Sequence, residues 1–183
     1  TYSKLGDSNY NAATNVTASF VINKASQAEI NASITVGSAT MPFVASPKAT
    51  ATVTATGGSG TGAYSYSVDP GSSTICSVNA SSGVVTNITA GVCNILVKRL
   101  TDTNFAESAS KTVTITFTKI DQSAFTVSAT KLSLKATTSA LDTSTLSTSG
   151  GSGSGAVSYA IDAANSSICS ITGTTVTGLA TGD

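Results

Sequence analysis

Residues 57–76 read GGSGTGAYSYSVDPGSSTIC, and residues 150–169 read GGSGSGAVSYAIDAANSSIC. Gly57 is answered by Gly150 and Cys76 by Cys169, each 93 positions further on. Self-similarity of this length is the mark of one domain copied in tandem. The match continues outward. Gly6-Asp7-Ser8-Asn9-Tyr10 returns as Thr101-Asp102-Thr103-Asn104-Phe105, and Lys24 and Gln27 return as Lys119 and Gln122, all 95 positions on. The difference in offset places two extra residues of the first copy within residues 41–48. Laid end to end, the copies give one complete repeat at 25–120. It is preceded at 1–24 by the C-terminal strands of an earlier repeat and followed at 121–183 by the N-terminal part of a later one.

Residues 177–183 match 86–92, 91 positions back, and Thr1 matches Leu96, so a cysteine is expected directly after Asp183 and another three positions before Thr1. Read this way, the odd count of three cysteines reflects a window of about two periods in a longer array.

Serine and threonine, 30 and 31 residues, make up a third of the 183, while charged residues are 10% and the formal net charge is zero. Sparse, balanced charge argues against nucleic acid or anionic lipid as partner, since both need clustered Lys and Arg. No 18-residue apolar run is present, so no membrane span is expected in this segment. A repeat of about 95 residues supports only a small core, and small cores often need covalent staples. Cys76 and Cys93 sit in one repeat without the neighbouring Cys or His of a zinc site. They read as a disulfide, with two buried free thiols as the alternative. A disulfide implies a compartment outside the reducing cytosol.

Strand signals dominate the chain. Thr112 to Thr118 alternates strictly, with Val113, Ile115 and Phe117 on one face and threonine on the other. In the earlier copy the inward set is Ala18, Phe20 and Ile22. Tyr64, Tyr66 and Val68 correspond to Val157, Tyr159 and Ile161, residues 50–56 alternate threonine with Ala51, Val53 and Ala55, and 94–100 and 125–134 read as further strands. No apolar period of 3.6 runs for three turns. Asp69-Pro70-Gly71-Ser72 is turn chemistry, and Gly57 to Gly62 is a Gly/Ser hairpin-type connection. About seven short strands per repeat imply an all-β chain of tandem immunoglobulin-like antiparallel β-sandwich repeats, each about 93–95 residues long. The buried Trp of antibody domains is absent and the Cys pair is too close in sequence for their bridge.

The run GDSNYNAATNVTASFVINKASQ at 6–27, with GGSGTGAYSYSV at 57–68 and Gly91-Val92-Cys93, resembles the bacterial Ig-like tandem repeats of giant extracellular surface proteins and adhesins. The resemblance covers essentially the whole chain; the second copy, TDTNFAESA, keeps the aromatic and the Asp-x-Asn but drops the first glycine. It implies an extracellular or cell-surface, repetitive and structural role, and carries over no catalytic residue.

Residue by residue, chemistry is scarce. The chain has no histidine, which removes Ser-His and Cys-His nucleophilic arrangements and His metal sites, and its nine acidic residues are scattered. The glycine loop lacks the Lys of a phosphate-binding loop and no helix follows it. Asp7 and Asn9, repeated as Asp102 and Asn104, are the best polar candidates. One reading is a calcium site at the inter-repeat junction, with Asp121; the other is a loop whose Asx side chains bond local backbone while Tyr10 or Phe105 packs as an anchor. Calcium takes six or more oxygens, too few of which can be named, so the loop reading is preferred and no cofactor is expected. Lys98-Arg99 matches Ser3-Lys4, which reads as a basic residue on an exposed strand face. Asn-x-Ser/Thr sequons at Asn15, Asn31, Asn79, Asn87 and Asn165 are candidate glycosylation acceptors.

These observations point to a structural repeat segment of a surface stalk or filament, not an enzyme. Its partners would be neighbouring repeats of the same or identical chains. The short linkers at 24–27 and 119–122 imply a semi-rigid rod advancing roughly 30–40 Å per repeat. Three other readings stand beside it. One is a glycan- or protein-binding adhesin repeat. Another is a self-assembling fibre subunit in which residues 1–24 complete a neighbouring chain's 121–183 by strand addition. The third is an accessory domain of a secreted enzyme.

Overall fold

The computed structural model describes residues 1–136 and 140–182. The chain is all-β, about 40% strand and 3% helix, and falls into two compact units, Thr1–Lys119 and Ile120–Asp183.

Unit 1 holds eight strands: β1 Ile30–Val36, β2 Thr40–Pro42, β3 Thr50–Gly57, β4 Tyr64–Val68, β5 Cys76–Val78, β6 Val84–Asn87, β7 Gly91–Arg99 and β8 Lys111–Thr118. They form two four-stranded sheets, ordered β1-β3-β6-β5 and β2-β8-β7-β4. Every pairing is antiparallel except β2 with β8, where Met41 lies beside Phe117 in parallel. The alternation along β8 buries Val113, Ile115 and Phe117, and its partner β7 buries Cys93, Ile95 and Val97. The first sheet turns Ile30, Ala51, Val53, Cys76 and Val85 toward them, and all belong to one apolar cluster. Two sheets sharing one core make a β-sandwich-like unit. Each fully buried Val, Ile or Phe contributes about 1.5–3 kcal/mol relative to exposure, so β7 and β8 carry a large part of its stability.

Cys76 on β5 and Cys93 on β7 are joined by a disulfide with a Cα–Cα distance of 5.9 Å. The bond therefore runs from one sheet to the other. Just before β5, Asp69 caps a 3-10 turn, Pro70–Ser72, by accepting the Gly71 N–H. Ser72 Oγ then donates to Val92 O and accepts from Asn94 N–H, which ties this turn to β7.

Residues 1–24 depart from expectation. They form no strand; one isolated bridge joins Tyr2 to Val16. Of the set expected to face inward, Phe20 is 81% and Ile22 95% exposed, and Ala18 is exposed as well. The alternation that buries β8 is present in this segment, but here it forms no strand and buries nothing.

Unit 2 contains β9 Phe125–Ala129, β10 Thr143–Gly150, β11 Cys169–Thr172 and β12 Thr175–Gly178, in one sheet ordered β9-β10-β12-β11. In the repeat register these are the counterparts of β1, β3, β6 and β5, in the same order. The strand expected through 134 ends at Ala129, and 157–161, counterpart of β4, is not a strand. In unit 1, β4 pairs with β7; among the described residues, no strand of unit 2 plays the part of β7. Among the described residues, no helix is long and apolar enough to cross a membrane.

Candidate functional site

A dense knot of polar contacts surrounds the loop 57–62 of unit 1. Gly57 and Gly58 have φ of +86° and +76°, a left-handed conformation that favours glycine. This turn presents successive backbone N–H groups to the side chains of Gln27 and Asp102. Gln27 Oε1 accepts from Ser59 and Gly60, both at 2.9 Å. Asp102 Oδ2 accepts from Thr61 N–H at 2.5 Å and from Thr61 Oγ1 at 3.3 Å. Its other oxygen, Oδ1, accepts the N–H groups of Asn104 and Phe105 at 2.9 and 2.8 Å. One carboxylate thus joins two loops separated by some forty residues. The Thr61 N–H above all, then those of Phe105 and Asn104, hold its carboxyl at about 2, below its ordinary value of 3.8.

Arg99 closes the knot from β7. Its Nε donates to Gly62 O at 3.0 Å, and Nη1 to Gly57 O at 2.5 Å and Gly58 O at 3.3 Å. The guanidinium also lies 5.2 Å from the centre of the Tyr64 ring, whose hydroxyl donates to Gly57 O at 2.7 Å. The expectation of a merely exposed basic residue is corrected: Arg99 is half-buried and clamps the loop. The loop leaves no slack around it. A Cβ at Gly60 would collide with Asp102 Oδ2, and one at Gly62 with Leu100 O.

Asp7 and Asp102 both form Asx loops. Asp7 Oδ1 accepts from the N–H groups of Asn9 and Tyr10 at 2.8 and 3.0 Å, repeating the Asp102 pattern. At Asp102 both oxygens face N–H or O–H donors, the electrostatic opposite of a cation's oxygen cage. Asp121 is exposed, and among the described residues no three His, Cys, Asp or Glu side chains gather to hold a metal.

Of the sequon asparagines, Asn15, Asn31 and Asn79 are exposed and Asn165 is half-buried. Asn87 must be corrected. It is fully buried on β6 and its Nδ2 donates to Val44 O at 3.0 Å, so the folded unit gives a glycan no access to it. Cys169 is a free, half-buried thiol. Its Sγ lies 3.8 Å from Asn165 O, as Cys76 Sγ lies 3.7 Å from Ser72 O, so it holds the Cys76 position.

The knot's hydrogen bonds hold the protein's own backbone, and no nucleophile paired with a base is present among them. Compared with protein families, curated proteins and solved structures, the chain matches none.

Proposed function

We propose that this chain is a segment of an immunoglobulin-like repeat array that serves as an extracellular stalk or filament, with a mechanical and spatial role and no catalysis. The observation that carries this reading is that one construction occurs twice. Gln122 Oε1 accepts from Ser152 and Gly153 N–H as Gln27 does from Ser59 and Gly60, and Asp162 caps Ala163–Asn165 as Asp69 caps Pro70–Ser72. Repetition of a unit whose polar groups are spent on its own loops suits a spacer better than a binding head. The disulfide supports a location outside the reducing cytosol.

Two measurements test this. Antibody against unit 1 is expected to label intact, unpermeabilised source cells. Electron microscopy of the native material is expected to show beaded rods with a spacing of about 30–40 Å. Labelling only after permeabilisation, or compact particles without a repeat, would overturn it.

A further inference from the structure

We propose that the Asp69–Pro70 peptide bond is a self-cleavage site, cut in acid by the turn that Asp69 itself caps, with water as the only co-reactant. The proposal goes beyond the stalk reading and does not depend on it.

The sequence singles out one bond. Of the three prolines, Pro42 follows Met41, Pro47 follows Ser46, and only Pro70 follows an aspartate. A bond to proline is a tertiary amide. Its nitrogen takes up a proton more readily than that of an ordinary peptide, which makes it the better leaving group in acid.

The fold then holds the reacting groups together. Asp69 sits at φ −57° and ψ 135°, and its Oδ1 accepts the Gly71 N–H at 3.0 Å, which folds the side chain forward along the peptide that it must attack. The carbonyl oxygen of Asp69 accepts the Ser72 N–H at 2.8 Å. That donor polarises the carbonyl and is in place for the negative charge that grows on its oxygen during attack. Ser72 is itself pinned to β7 through Val92 and Asn94, and the Asp69 N–H donates to Asn94 O at 2.9 Å. Among the described residues nothing donates to Asp69 Oδ2, which leaves that oxygen as the nucleophile. Asp69 is half-buried and Pro70 exposed, so solvent reaches the bond.

The charges nearby do not interfere. Between Tyr66 and Lys98, Asp69 is the only side chain that ionises, since Cys76 and Cys93 are bonded to each other. The turn and residues 91–95 of β7 therefore bring no charge, β8 brings Thr114 opposite Asn94, and β4 adds only the phenols of Tyr64 and Tyr66, uncharged in acid.

In the reaction, Oδ2 attacks the Asp69 carbonyl carbon and closes a five-membered anhydride. The bond to Pro70 breaks, its electron pair stays on the proline nitrogen, and that nitrogen takes a proton from the acid medium. Water then opens the anhydride. The products are a chain ending in Asp69 with a free α-carboxyl group and a chain beginning with Pro70 as a secondary amine.

The repeat supplies an internal control. Asp162 has φ −57° and ψ 136°, its Oδ1 accepts the Ala164 N–H at 2.9 Å, and its carbonyl accepts the Asn165 N–H at 2.9 Å. The turn is the same, but Ala163 replaces the proline, and this bond should survive. The cut also has a structural consequence. Both bonded cysteines lie after it, so no covalent link joins residues 1–69 to 70–183. The pieces are held by the pairings of β3 with β6, β2 with β8 and β4 with β7. A cut unit would keep its shape at rest and part under load.

The test incubates the full chain at about pH 4, where Asp102 still lends its stability, and follows it by mass spectrometry. The expected products are residues 1–69 and 70–183, with masses that sum to the intact chain plus one water and no cut after Asp162. Two variants should stay whole: Pro70→Ala, which copies the second turn, and Asp69→Ser, which keeps a capping oxygen without the carboxylate. Circular dichroism checks that both fold. In urea, with the turn melted, cutting should be at least tenfold slower. An intact chain overturns the proposal and leaves the stalk reading standing. Equal cutting in urea overturns it in favour of the bond's own lability, and cutting of Asp69→Ser overturns the carboxylate as nucleophile.

Discussion

Unit 1 and unit 2 share their loops but not their interior. Gly57 and Gly150 both sit at φ +86°, Gly58 and Gly151 both at +76°, and both units repeat the glutamine cage and the aspartate-capped 3-10 turn. Yet Val53 and Val85 are fully buried, while Leu146 and Val176 at the same repeat positions are only half-buried. Two kinds of information are separated here. Turns and caps are written within a few residues of where they act, and form in either setting. A core is written across the whole repeat, and closes only where β7 and β8 lie over β1, β3 and β6.

The largest break in this comparison comes from the core. Phe117→Ala should cost unit 1 about 3–5 kcal/mol, read from denaturant unfolding followed by circular dichroism. Ile22→Ala, the same repeat position, should leave the monomeric chain unmoved because its side chain is 95% exposed. An equal loss from both would mean that residues 1–24 already contribute to a core. Next comes the disulfide. Reduction, or Cys76→Ala with Cys93→Ala, should remove about 3 kcal/mol from unit 1, since the bond closes a loop with a sequence separation of 17. An unchanged melting temperature would refute the staple. Third, Gly62→Ala should cost unit 1 about 1–3 kcal/mol by forcing a methyl group against Leu100 O, whereas Gly155→Ala should be neutral in the monomer.

The smallest effect is acid sensitivity. Asp102 is held at about 2 in the folded chain, below its unfolded value. The stability it contributes is present above about pH 4 and is lost as pH falls toward 2. A pH series of melting temperatures should show this loss in unit 1 and show it flattened in Asp102→Asn. An identical acid profile in that variant would place the sensitivity elsewhere.

Much of unit 1 was legible from residues alone. The threonine alternation at 112–118 names both β8 and its buried face, and the isolated pair Cys76 and Cys93 names the bridge. The role of Arg99 was not legible, because it depends on the carbonyls of a loop some forty residues earlier in the chain. The burial of Asn87 was hidden for a related reason: a sequon describes three residues, while burial is decided by the sheet opposite and by Val44 O. At Phe20 and Ile22 the alternation misled: residues 1–24 form no strand and both side chains are exposed, because alternation places side chains on two faces only once a strand has formed. The short parallel pairing of β2 with β8 gave no signal. Three residues including Pro42 do not make a periodic pattern.

The bond between Cys76 and Cys93 also fixes how far such a domain yields when pulled from its ends. The chain between the two cysteines lies outside the load path, because tension passes through the sulfurs. With a separation of 17 residues, about 60 Å of contour length per domain stays in reserve as long as the bond is oxidised. An array of such units would have an extensibility set by the redox state of its surroundings, a stiff tether in oxidising conditions and a longer one when reduced.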